Sequence, residues 1–110
     1  MSACWIVRAQ VLDASVRDAF DRWYQDEHLP DAVKAFGAQR AWRAWSETDP
    51  SVHYAVYEFD DIAKVHAIPG SAALKALVSE FDRAWGDKVV RSRETLRVVQ
   101  EIDAALGRLD

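Results

Sequence analysis

Along this chain the spacing of apolar residues switches between a period of two and a period of 3.6, and the order of the switches constrains the fold most tightly. From Cys4 to Leu12 the pattern alternates: Trp5, Val7, Ala9 and Val11 share one face, and Cys4, Ile6, Arg8 and Gln10 the other. Alternation of this kind is the mark of a β-strand. Asp13 or Ser15 can then cap a helix in which Val16, Ala19, Phe20, Trp23 and Tyr24 recur at helical spacing. Pro30 disfavours helical geometry at Leu29, so this helix is expected to end or kink near His28. A short second segment follows from Pro30 to Phe36, with Gly37 as its stop.

Two further strands, Ala38 to Ser46 and Val52 to Phe59, flank the turn-forming stretch Glu47 to Ser51. Asp60 and Asp61 open a helical turn that breaks at Pro69 and Gly70. A longer helix runs from Ser71 to about Trp85, with Leu74, Leu77, Val78, Phe81 and Trp85 on one stripe. Arg93 to Ile102 alternates as a fourth strand, and Asp103 to Asp110 reads as a short helical tail or a frayed end. The order β-α-β-β-α-β has one compact solution we favour. It is an α+β sandwich with a four-stranded antiparallel sheet, strand order 4-1-3-2, and the helices on one face.

A chain of 110 residues carries one hydrophobic core, so residues 1–110 are expected to form a single domain. Fourteen basic residues against 18 acidic ones give a net charge of −4, and no basic run offers a surface to nucleic acid or an anionic membrane. The lone Cys4 excludes an intrachain disulfide, and it reads as a packing residue, not a nucleophile. The opening MSACWIVRAQ lacks a basic n-region, and Arg8 interrupts its apolar stretch. That predicts no signal peptide and a cytoplasmic location.

The face of the sheet away from the helices bears on assembly. Val52, Tyr54 and Val56 point one way along the third strand while Ala55, Tyr57 and Phe59 point the other, and Trp42 and Trp45 fall on opposite faces of the second. Both faces are therefore apolar, and a homodimer pairing two sheets is expected.

The string Trp23-Tyr24-Gln25-Asp26-Glu27-His28-Leu29-Pro30-Asp31, of the form WY-x-x-EH-x-PD, resembles the dimeric α+β barrel superfamily with its ferredoxin-like fold. Within that superfamily it looks most similar to EthD-like and related uncharacterised small proteins. The resemblance spans the element order of nearly the whole chain, with Phe36-Gly37-Ala38 as a departure where a Pro-Gly pair and an aromatic residue are expected. It implies a dimer and a pocket between sheet and helices. The activities it implies are broad: cofactor-independent monooxygenation, cyclisation, isomerisation, haem binding, or no assigned reaction. A fold hosting so many chemistries does not name one.

Helical geometry from Val16, at 100° per residue, puts Phe20 about 40° to one side and Trp23 about 20° to the other, with Glu27 between them. Glu27 is thus expected on the inward stripe, Tyr24 at its edge and His28 just outside. A carboxylate there gains a raised pKa, and it would raise that of His28 beside it. His28, Glu27 and Tyr24 are the candidate catalytic residues, with Trp23, Tyr57 and Trp85 walling a pocket for an apolar or aromatic molecule. The plainer alternatives pair Glu27 with a sheet arginine and leave His28 covering a helix end. Arg8 and Arg97, joined by Arg40 or Arg43, are expected to bind an anion or form ion pairs across a dimer.

His28, His53 and His66 lack metal-ligand spacing, so no metal is expected. No Gly-rich phosphate loop or nucleophile elbow occurs, and no cofactor is called for, although a single histidine would suffice as a haem ligand. Two functions remain open. One is a cofactor-independent small-molecule enzyme, and the other is a non-catalytic dimeric binding or accessory protein.

Overall fold

The computed structural model describes residues 2–105 and 107–109. A four-stranded sheet has the order β2-β3-β1-β4, built from β1 (Ala3–Val11), β2 (Arg40–Trp45), β3 (Val52–Phe59) and β4 (Val89–Arg97). All three pairings are antiparallel, with Trp5 opposite Tyr57 on one side and Thr95 on the other. This is the expected sandwich and strand order.

The helices cover one face. Asp13 accepts from the amide of Ser15 and opens a 3₁₀ turn, Ala14–Val16, that leads into α1 (Arg17–Trp23). Pro30 does not break the chain here, contrary to expectation. Helical structure continues through a π-helical turn, Tyr24–His28, directly into α2 (Leu29–Phe36). The Leu29 amide donates to the carbonyl of Tyr24, five residues back. The wide turn leaves room for the Pro30 ring, and a proline needs no acceptor. Gly37, at φ +67°, closes α2 in the left-handed conformation, so the departure at Phe36-Gly37-Ala38 still supplies a stop.

Asp61 and Ser71 cap α3 (Ile62–His66) and α4 (Ala72–Trp85) through side-chain oxygens that accept from Ala63 and Leu74 amides. Each such cap contributes about 1 kcal/mol. β4 starts four residues earlier than its alternation suggested, because Val89 and Val90 already pair with Val11 and Gln10. The expected helical tail is instead extended: β5 (Glu101–Asp103) pairs with β6 (Gly107–Leu109). Leu106 and Asp110, part of that expected tail, lie outside the described residues.

Phe20 is the hub of the core. It is fully buried, and the rings of Trp23, Tyr24, Trp45, His53, Phe81 and Trp85 lie with centroids 5.3–6.4 Å from its own. Edge-on and tilted contacts of this kind add to the burial of the rings themselves. Four of the five tryptophans belong to this helix-side layer, as the demand for enclosure predicts. Trp42 points to the opposite face, where its Nε1 donates to Glu58 at 2.9 Å. That outer face also carries Ile6, Val52, Tyr54, Val56, Val90 and Leu96, with Val90 and Leu96 exposed. No helix among the described residues is long and apolar enough to cross a membrane.

Candidate functional site

The π turn decides which side chains reach the interior. One extra residue per turn rotates everything after it by about one residue position. His28 therefore takes the inward place expected for Glu27. His28 and Tyr24 are buried, whereas Glu27 is exposed and forms no hydrogen bond or ion pair among the described residues. The inward placement of Glu27 is thus corrected, and so is its pairing with a sheet arginine.

Between the sheet and the helices lies a cavity of about 320 Å³, its open mouth included. Trp5, Val7 and Tyr57 of the sheet form its floor, and Tyr24 and His28 of the π turn form one wall. Leu74, Leu77, Val78 and Phe81 of α4 make the opposite wall, Phe36 closes an end, and Arg91 and Arg93 of β4 complete the lining. The walls approach closely, so at rest the space is narrow, and a ring-sized ligand must push the half-buried α4 side chains outward.

The expected pocket walls are only partly found here. Tyr57 lines the cavity, but Trp23 and Trp85 do not. Trp23 backs the site from behind, stacked on the His28 imidazole at 4.6 Å and 19°. Trp85 packs on Trp23 and Phe20.

Burial sets the protonation states. His28 is held down to about 4, first by burial and then by the charge of Arg91; the nearby carboxylates of Asp31 and Glu80 counter this only in part. The expectation that a carboxylate would raise His28 is therefore overturned, and near neutrality the imidazole is a free base. The two phenols move the other way. Burial pushes Tyr24 up to about 12 and Tyr57 well above its usual value, and the influence of each phenol on the other lowers the first and raises the second. One unprotonated base and two protonated donors thus face a single cavity, and environments that push such groups apart are what acid–base work needs.

A second polar cluster lies beside this one. Arg43 donates to Asp21 at 3.1 Å and to His53 Nε2 at 3.1 Å, while Trp45 Nε1 donates to Asp21 at 2.8 Å. An arginine can only donate, so His53 carries its proton on Nδ1, which is buried without a partner. Burial and the Arg43 charge hold His53 at about 3.

The arginines singled out in the sequence do not converge. Arg8 is opposite Tyr54 and Ser92 on the outer face, whereas Arg97, opposite Ala3, faces the helices. Arg40 and Arg43 are split in the same way. Of the cavity arginines, Arg91 falls before the strand expected from Arg93 onward, and Arg93 is the first residue of that strand without being singled out. The alternation of Val89, Arg91 and Arg93 was the signal that could have found them. Cys4 is half-buried and its thiol is pushed up, first by burial and then by Glu58 and Glu101, the opposite of nucleophile activation. No group of three His, Cys, Asp or Glu side chains converges among the described residues.

No protein-family model matches the chain. No curated protein matches it either. Solved structures do. An EthD family protein from Bacillus halodurans aligns with a TM-score of 0.68 at 15% identity, over 90% of this chain and 100% of that one. A variant of SnoaB, a cofactor-independent oxygenase from Streptomyces nogalater, gives 0.67 at 11% identity, over 91% and 95%. HapK from Hahella chejuensis gives 0.68 at 18% identity, over 94% and 98%. These likenesses establish the fold, a ferredoxin-like α+β sandwich, with an EthD family protein and a cofactor-independent oxygenase among those that share it.

Proposed function

We propose that this chain, as one domain, is a cytoplasmic small-molecule enzyme performing cofactor-independent acid–base chemistry on an apolar or aromatic substrate held between sheet and helices. The observation that carries the reading is a neutral, buried His28 beside the protonated phenols of Tyr24 and Tyr57 in the lining of one cavity. His28 removes a proton next to a substrate carbonyl, and the phenols donate to the oxygen as negative charge gathers there. Returning the proton to another carbon gives isomerisation, and attack of the carbanion on a second carbonyl of the same molecule, with the proton passing to the new alkoxide, gives cyclisation. Attack on molecular oxygen as a second substrate gives a hydroperoxide that loses water to leave a carbonyl, a monooxygenation in which the substrate supplies both electrons. The cofactor-independent oxygenase that shares this fold supports the last outcome. Trp23 holds the imidazole plane, and Trp85 holds Trp23.

A second reading, a non-catalytic binding or accessory protein, draws support from the low basicity of His28, since a base held at about 4 is a weak one. Both readings are separated by one experiment. The protein is screened by NMR against small aromatic and cyclic ketones, following the Trp5 indole and His28 ring signals and the consumption of each compound. Compounds that shift those signals and are consumed support the enzyme, and compounds that shift them unchanged support the second reading. Glu27→Gln is expected to leave binding, turnover and stability within about 0.5 kcal/mol of the parent, as for an exposed site without partners.

The homodimer belongs to the same proposal. Val52 and Val56 are already covered within one protomer, so the exposed apolar groups left for a partner on the outer face include Leu96, Val90 and Trp42. Light scattering at micromolar concentration is expected to give twice the mass of one chain. Leu96→Glu is expected to give a single chain with an unchanged circular dichroism spectrum, because Leu96 is exposed in the protomer. A monomeric parent protein would rule the dimer out.

A further inference from the structure

Charge enters the cavity from one strand. The register puts Val89, Arg91, Arg93, Thr95 and Arg97 on the helix side, opposite Val11, Ala9, Val7, Trp5 and Ala3. An inward stripe of arginines beside an inward apolar stripe breaks the usual alternation of a sheet with one covered face. Two of these arginines, Arg91 and Arg93, line the cavity.

Arg91 is held firmly. Its side chain is only 15% exposed, its guanidinium lies over the Phe81 ring at 3.9 Å, and it donates to Asp82 Oδ1 at 2.7 Å. That bond engages one terminal nitrogen of a fork with five N–H donors. Arg93, two residues along, has no carboxylate within ion-pair distance among the described residues. One carboxylate thus faces two guanidiniums, in a chain whose overall charge is −4. A third donor adds to the imbalance. Trp5 lines the same cavity, is 5% exposed, and has its indole Nε1 buried without an acceptor. Buried donors are normally satisfied, and a second guanidinium beside the largely buried Arg91 favours the arrival of an anion.

Resting on the reading of this cavity as a small-molecule site, we propose that its ligand is an aromatic or cyclic molecule carrying a carboxylate, which Arg91 and Arg93 recognise. The planar fork of an arginine matches the two oxygens of a carboxylate, and each such bond is stronger than one between neutral groups. The apolar remainder lies against Leu74, Leu77 and Val78. The rival explanation is that inward charges on an edge strand merely discourage sheet-to-sheet pairing, and β4 is an edge strand. In that case the cavity has no preference for charge.

The probes are 2-naphthoate and 2-naphthamide, alike in shape and different in charge. Affinity is measured by calorimetry, and the place of binding by the NMR signals of the Trp5 indole and the His28 ring. Naphthoate is expected to bind at least about tenfold more tightly, as charge-assisted hydrogen bonds allow. Arg93→Gln, at an exposed position, is expected to bring the two probes within about twofold of each other while naphthamide is unaffected. Arg91→Gln is expected to do the same, with circular dichroism confirming the fold; Arg93→Gln decides alone if Arg91→Gln unfolds. Equal affinity of both probes in the cavity overturns the carboxylate and leaves the cavity as a site. A preference that survives in Arg93→Gln overturns it too. If neither probe shifts Trp5 or His28, both the carboxylate and the small-molecule site are wrong.

Discussion

Between neutrality and about pH 4 the protein is expected to lose several kcal/mol of folding stability, and the loss begins near 6.5, above the range in which carboxylates protonate. The cause is the pair of buried neutral histidines. In the unfolded chain both titrate near 6.5; in the folded protein burial and an adjacent arginine hold His28 at about 4 and His53 at about 3. Below 6.5 the unfolded state takes up protons that the folded state refuses, so stability falls as pH falls. For His28 the loss is complete near pH 4, and for His53 it continues to about 3. Each shift corresponds to about 3 kcal/mol by pH 4. Asp21 acts in a lower window: its hydrogen bonds from Trp45 and Arg43 hold it below its ordinary value, so its contribution is lost only as pH falls below the carboxylate range.

Urea unfolding at a series of pH values measures this directly. The parent protein is expected to lose stability steadily below about 6.5. His28→Gln, which has no proton to take up, is expected to have a visibly shallower slope. His53→Gln is expected to flatten the slope as well, at a lower starting stability, because Arg43 then loses its partner at 3.1 Å. A parent stability that is level from neutrality to about pH 5 would show that these imidazoles are not buried neutral.

What could be seen in the sequence and what could not divides along a physical line. Trp5, Val7, Ala9 and Val11 lie inward as their alternation required, and so do Tyr57 and Phe59 against them. Those positions were legible because one buried face leaves a strand no other register. Glu27 was misplaced for a reason that no helical wheel contains. A wheel assumes a constant rotation per residue, and the π turn at Tyr24–His28 breaks that assumption. Its only local signal was Pro30, which was read as a stop, although widening the helix by one residue accommodates it equally well. The inward aim of Arg91 and Arg93 is hidden by the rule that makes the other strands' faces visible, since charged residues do not form the apolar stripe that marks a covered face. His53 gave no signal at all. It occupies an apolar position on β3, and its importance comes from Arg43 and Asp21, partners distant in sequence that only the fold assembles.

Removing the His28 imidazole is expected to lower turnover by about 10²–10⁴-fold once a substrate is in hand, with the fold retained. His28→Ala deletes the only unprotonated base among the described residues that line the cavity. Tyr24→Phe removes a hydroxyl and little volume, and it is expected to lower kcat by about 10²-fold through loss of a donor to the developing oxyanion. Because His28 titrates at about 4 and Tyr24 at about 12, the rate should be level across the neutral range and fall on the acid side only near pH 4. A base held near neutrality by a carboxylate gives a different profile, with the rate falling below about pH 6–7. Corrected for the folded fraction measured at each pH, the shape of the acid limb therefore tests the environment of His28 independently of the size of the loss. Tyr24 and His28 are also core residues, with rings 4.8 Å apart, so each variant is compared by thermal unfolding before its rate is interpreted. A His28→Ala protein that melts early but turns over substrate at the parent rate assigns the imidazole to packing on Trp23. One that melts normally and loses the rate assigns it to proton transfer.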